Sequence, residues 1–297
     1  MRAARILCAL AILASGRLVA SDAPVRVVTL STVLTEVARQ VGGSQASVEG
    51  LVLPGVDPHT FNPSPRDIRA IVDADLVFAS GLNVEGYLNR LLTNDAATGR
   101  VVLVGDALAS PITNMSQNGI IEEDPHWWHS IDNVLAAVEI VRAELTHARP
   151  ASGAEFSANA KAYSGRLNAL KEWVSAEVAR IPSDRRILVT SHDAFGYFAR
   201  DYGFTVQSIN GFSTEGEPDA RRVAAIIDLI RSRGIKSVFV EGGVNPSLIE
   251  NLRRETGVHI GATLYADGLG APGSGAETYE SMYRSNVAAI VDGLSPR

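Results

Sequence analysis

Three histidines and one aspartate stand in turn-rich segments beside apolar runs. They are His59 in PGVDPHTF, His126 in DPHWWHS, His192 in VTSHDAF and Asp267 in YADGLG. Three imidazoles and a carboxylate offer a full tetrahedral donor set for a cation such as Zn2+. His59 follows Asp57-Pro58 and His126 follows Asp124-Pro125, pairs that disfavour helix and hold an extended turn. An imidazole presented that rigidly suits a metal site, whose ligand angles must be set before the metal arrives; the plain alternative for each is an exposed loop histidine. His192 ends the apolar run ILVTS, where an α/β fold opens its binding crevice. Asp267 is the only acid in its turn.

The neighbouring chemistry is weaker. His129, three residues after His126, would share a helix face with it. Pro125 puts a helix start close by, so the two need not converge, and His129 reads as a supporting or surface group. Asp193 reads as a cap for the next helix or as support for a ligand. Ser191-His192-Asp193 is no hydrolase triad, because consecutive side chains cannot form the relay and no Gly-x-Ser-x-Gly elbow is present. Gly268-Leu-Gly270-Ala-Pro-Gly273 matches the dinucleotide fingerprint in letters only: Pro272 sits where the phosphate-binding helix should begin, and the chain ends before a full βαβ unit. His147 near a helix C-terminus and His259 at a strand start read as structural.

The elements around these segments alternate. PVRVVTLS is a strand feeding a helix that ends at Gly42-Gly43, and SVEGLVLPG is a second strand running into the His59 loop. Ser64-Pro65-Arg66-Asp67 carries a capping box with proline at the first helical position. ADLVFASG and GRVVLVGDAL are further strands, 110–124 a loop, and IDNVLAAVEIVRAEL a helix. From Ala151 to Ile181 no proline intervenes, and Phe156, Ala160, Tyr163, Leu167, Leu170, Trp173, Val174 and Val178 recur at helical spacing. One such helix would run about 45 Å, unless it breaks into two at Gly165. A second strand–helix series follows to the end of the chain. The pattern predicts an α/β protein of two lobes, each a mainly parallel sheet flanked by helices, joined by one long rigid linker helix. The expected divisions are 1–20, 21–150, 151–181 and 182–297.

Residues 1–20 read as a secretory signal peptide, with Arg2 and Arg5 ahead of a short apolar run and cleavage after Ala20. The single cysteine, Cys8, lies inside it without a lipoprotein pattern, so the mature chain is expected to have neither disulfide nor lipid anchor. Losing Arg2, Arg5 and Arg17 would take the formal charge from −6 to −9. An acidic exported chain is a poor partner for nucleic acid or anionic membrane. A soluble, monomeric periplasmic protein is expected.

PGVDPHTFNPSPRDIRAI, ADLVFASGLNVEGYL, EDPHWWHSIDN, VTSHDAFGYFARDYGF, VFVEGGVNPSLIENLRRETG and YADGLG, in this order over the whole mature chain, resemble the cluster A-I metal-binding solute-binding proteins of ABC importers. The resemblance implies a metal buried between two lobes, with His59, His126, His192 and Asp267 as its ligands. It also implies zinc as the cargo, since manganese and iron binders of that family often carry Glu where this chain has His192. Three neutral imidazoles likewise suit Zn2+ better than harder Mn2+. The WWHS wording is most similar to the AztC-type zinc proteins, which can receive zinc from a periplasmic metallochaperone. Unlike many zinc-binding relatives, the chain has no histidine in 110–124, and so no zinc-scavenging loop there. The resemblance thus points to a carrier that delivers Zn2+ to an ABC permease in the inner membrane. A manganese or iron carrier is the alternative, and a zinc hydrolase a remoter one, because four protein ligands leave no position open for water.

Overall fold

The computed structural model describes residues 23–88, 100–109, 111–115, 121–212, 219–241 and 246–295. The expected signal peptide and Cys8 lie outside them. The first lobe is built on β1 (Val25–Thr29), β2 (Ala46–Gly50), β3 (Leu76–Ala79) and β4 (Arg100–Leu103), all parallel, in the order β2-β1-β3-β4. Its strands are short apolar runs because both faces are covered. On one face lie α1 (Thr32–Gly42) and α3 (Ile131–Ala148); α2 (Pro65–Asp73) precedes β3. The capping box forms as read: Ser64 Oγ accepts from Asp67 N, and Asp67 accepts from Ser64 N.

The long helix, α4, spans Gly153–Val178 without a break at Gly165. Its 26 residues make about 39 Å, shorter than the sequence suggests because the helix starts only after a 3-10 turn at Pro150–Ser152 and ends at Val178, ahead of Ile181. Its buried stripe packs on α1 and α3 of the first lobe and on α8 (Tyr279–Leu294) of the second. Only Trp173 of the expected stripe is half-exposed, with the Arg284 guanidinium 4.5 Å above its ring.

The second lobe repeats the first in strand order. β7 (Ile187–Thr190) pairs with β8 (Thr205–Ser208), and β9 (Ser237–Val238) with β10 (His259–Ile260), all parallel. Phe239 N donates to Val189 O at 2.8 Å and joins the two pairs. The helices α5 (Gly196–Tyr202), α6 (Ala220–Arg233) and α7 (Pro246–Thr256) complete the lobe.

One apolar core runs through both lobes, from Val27 and Leu34 past Tyr163 and Leu170 to Phe198 and Val287. Separate clusters fill the outer face of each sheet. A continuous core beneath a spanning helix resists hinge opening, because parting the lobes would expose close-packed side chains.

Two segments depart from the sequence reading. Within 110–124, β5 (Thr113–Met115) and β6 (Ile121–Glu123) form a small antiparallel ladder in place of a loop. The second strand stops at Gly50, and the apolar letters after it belong to a turn in which Leu53 is 61% exposed. No helix among the described residues is long and apolar enough to cross a membrane.

Candidate metal centre

The two Asp-Pro-His segments fold alike. Asp57 Oδ1 accepts the His59 backbone N–H at 2.8 Å, and Asp124 Oδ1 accepts that of His126 at 2.9 Å. Each is an aspartate turn closed two residues on, with proline holding the middle residue. The chain then diverges. His59 ends a surface loop, whereas His126 enters a 3-10 turn, Trp127–His129, that leads into α3 through the N-cap Ser130. Trp127 Nε1 donates to Ser80 O beyond β3, which ties the turn to the first sheet.

His192 follows β7. Its carbonyl accepts from Thr190 Oγ1, and Asp193 N donates to Gly211 O. Asp193 does not stand at the cap position of α5, which is Phe195, two residues further on, whose side chain makes no capping bond. Asp267 lies between the isolated bridge at Leu264 and α8.

These four side chains, from four distant segments, meet between the lobes with one donor atom each inside a 4.8 Å span. Nε2 of His59 and Nε2 of His126 are 3.3 Å apart, and Asp267 Oδ1 is 3.3, 3.5 and 3.6 Å from Nε2 of His192, His59 and His126. A tetrahedron with bonds of about 2.0–2.1 Å to its centre has edges of about 3.3–3.4 Å, so these four edges fit a small ion. The side chains are well enclosed: His126 is fully buried, His192 is 2% exposed, His59 8% and Asp267 15%.

Burial and charge act against each other here. Burial alone would depress His126, but Asp124 and Asp267 outweigh it and hold the imidazole above its ordinary range. His192 is likewise driven down by burial and carried well above that range by Asp267 and Glu241. Burial would raise Asp267, yet hydrogen bonds from His126, His192 and His59 hold it well below the usual carboxylate range. A concentrated negative carboxylate facing three basic nitrogens is a cation site with protons as its competitor.

Two carboxylates behind the imidazoles were not singled out from the sequence as their partners. Asp124 Oδ1 also bonds His126 Nδ1 at 2.8 Å. Glu241 Oε2 lies 3.5 Å from His192 Nδ1 and accepts from Ser191 N. Both are buried, and both fix the tautomer that leaves Nε2 free to point inward. Asp124 needs a bare residue beneath it: a Cβ at Gly196 would come within 2.5 Å of Asp124 Oδ2.

His129 is neither a fourth imidazole nor a surface group. It is buried, its ring is 4.4 Å from that of Phe195, and Nε2 lies 2.8 Å from Ala266 O. His147 and His259 are exposed and stand apart from the centre. Gly268–Gly273 does not open a helix; Leu269 N bonds Thr32 Oγ1, and α8 starts only at Tyr279. A cleft of about 740 Å³ reaches His59 from outside, with Glu85, Asp106, Glu122 and Glu123 on its walls.

Comparison with known proteins agrees with this architecture. Over 280 residues the chain is 35% identical to the manganese-binding lipoprotein MntA of Bacillus subtilis, covering 92% of this chain and 91% of that one. Over 269 residues it is 32% identical to the iron-binding protein YfeA of Yersinia pestis, covering 91% and 86%. The solved periplasmic zinc-binding protein TroA of Treponema pallidum superposes with a TM-score of 0.85 at 29% identity, over 92% of this chain and all of that one. The family model described as zinc-uptake complex component A, periplasmic (ZnuA), matches residues 27–293, and the chain belongs to that family. It is a metal-binding, substrate-binding protein of an ABC transporter and not an enzyme.

Proposed function

We propose that the protein captures Zn2+ through His59, His126, His192 and Asp267 and delivers it to an ABC permease in the inner membrane. The observation that carries the reading is the set of four donor atoms with edges of 3.3–3.6 Å, two of whose imidazoles are backed by carboxylates. Three nitrogens and one oxygen favour zinc over manganese, which prefers harder and more numerous oxygen donors. The sequence divisions give each lobe two ligands: His59 and His126 from 21–150, His192 and Asp267 from 182–297, with 151–181 as the strut. The WWHS segment keeps the AztC-type reading, and with it loading by a periplasmic metallochaperone, as part of this proposal. Export through the N-terminal segment fits the same role; several relatives are named lipoproteins, and the mass of the mature chain tests for an attached lipid.

A manganese or iron cargo is the second reading, favoured by the Bacillus and Yersinia relatives' names. Titration of the metal-free mature protein with Zn2+ and with Mn2+ by calorimetry separates them. One tight zinc site with weak manganese binding supports the proposal; the reverse order, or no tight zinc site, sinks it.

A further inference from the structure

The backbone around Asp267 is held from both sides, largely by the opposite lobe. Ala266 O accepts two hydrogen bonds from the turn that follows His126, one from Trp128 Nε1 and one from His129 Nε2, each 2.8 Å. On the other side, Leu269 N donates to Thr32 Oγ1 at 2.8 Å. Gly268 has φ +156, and a Cβ there would run into that same threonine oxygen. Behind them, Asn286 bonds both the N–H and the carbonyl of Tyr265. The donors are themselves fixed, since Tyr279 and Tyr283 of α8 donate to the carbonyls of Trp128 and His129.

We propose that Trp128 and His129 are positioning residues for Asp267: their paired grip on the Ala266 carbonyl holds the carboxylate so that it offers one oxygen to the ion and thereby sets the preference for Zn2+ over Mn2+. The inference rests on the zinc reading above. A carbonyl has two lone pairs, and here both are taken by donors from one rigid turn. His129 serves because it is neutral. Burial lowers it to about 3, so it brings one N–H, and the carbonyl opposite Nε2 requires that nitrogen to carry it. With the backbone pinned at 265, 266 and 269, Asp267 Oδ1 sits within 3.6 Å of all three imidazoles. Released, the carboxylate could turn both oxygens toward a larger ion that accepts more donors.

The test uses the metal-free mature chain as wild type, Trp128→Phe, His129→Phe, His129→Gln and the Trp128→Phe/His129→Phe double variant. Each is titrated with Zn2+ and Mn2+, and the visible spectrum of its Co2+ form is recorded. In the phenylalanine variants the ratio of zinc to manganese affinity should fall by about tenfold or more. The intense bands of four-coordinate Co2+ should weaken toward the pale spectrum of higher coordination. His129→Gln, which keeps a donor for the carbonyl, should recover both. Where a variant fails to fold, Trp128→Phe and His129→Gln still carry the comparison. Folded variants with an unchanged ratio and an unchanged Co2+ spectrum overturn the inference alone. A wild type without a tight zinc site overturns the zinc reading and this inference with it.

Discussion

Replacing Asp124 by Asn should weaken zinc binding by an amount that depends on pH in a defined direction. Asp124 Oδ1 bonds both the backbone N–H and Nδ1 of His126, at 2.9 and 2.8 Å, inside a fully buried pocket. Asn keeps the shape and one acceptor but removes the charge. Its amide group would also point where Asp124 Oδ2 has no hydrogen-bond partner among the described residues. Outer carboxylates of this kind are worth about 10–100-fold in metal affinity, or about 1.4–2.7 kcal/mol. Asp124 strengthens His126 as a base for a proton as well as for a metal, and with Asp267 it outweighs the burial that would lower that imidazole. Well above the histidine range no proton competes, and the variant should show the full loss. As pH falls, the wild type loses more of its zinc affinity to protons than the variant does, so the gap should narrow. Competition titrations with a coloured zinc chelator across pH read this directly. Equal affinities at high pH would show that Asp124 does not act through His126, and a gap constant with pH would refute the shared-base argument.

Zinc affinity of the wild type should begin to fall while pH is still above the ordinary histidine range, because His126 and His192 are both held above it; a curve flat down to about 6.5 would count against this. The zinc-free protein should respond the other way. Asp267, depressed, adds stability that is present above its unfolded value and lost as pH falls through its folded one. His126 and His192, raised, add stability below their unfolded value that is lost as pH rises through their folded ones. This cluster therefore favours the empty fold most between about pH 4 and 6.5, which thermal melts with and without zinc would reveal. Gly165→Ala, on an exposed face of α4 with open space around its Cβ, should stabilise the fold by about 0.5–1 kcal/mol and leave zinc binding unchanged. Gly196→Ala should cost both stability and zinc affinity, since its Cβ has only 2.5 Å to Asp124 Oδ2; a variant with wild-type affinity would show that Asp124 can shift at no cost.

What the sequence made legible was set by local rules. The capping box at Ser64–Asp67 and the unbroken stripe of α4 follow from neighbours within one or two turns, and both form. The turn after Gly50 deceived because Leu53 and Val56 are apolar yet exposed, 61% and 41%, on the loop that carries His59. The β5–β6 ladder pairs Thr113 with Glu123 and Asn114 with Glu122, and such residues show no alternation to betray a strand. Around the centre, the four donors stood out by residue type, but their supports did not. Ser191 and the Glu241 carboxylate it bonds are 50 positions apart, and His129 and Ala266 are 137 apart. Contacts of that range are products of the fold, and nothing in a single segment announces them.

The same supports decide which donor must yield when an ion enters or leaves. His126 is locked by Asp124, His192 by Glu241, and Asp267 by a loop pinned at residues 265, 266 and 269. His59 has no ion pair to a carboxylate behind its ring among the described residues; its own turn is closed by the bond from its N–H to Asp57 Oδ1 and by one from Thr60 Oγ1 to Asp57 O. It alone of the four lines the cleft that opens outward, and among the described residues its loop is the one with large apolar side chains, Leu53 and Val56, left in solvent. A core shared by both lobes makes wide separation costly, whereas moving one surface loop disturbs little packing. On the proposed ligand set, exchange of the ion is therefore expected to run through displacement of His59, with the other three donors staying in place as a preformed site. Hydrogen exchange with and without zinc distinguishes the two modes: protection gained in residues 51–60 alone fits this route, and protection gained along the whole interface between the lobes contradicts it.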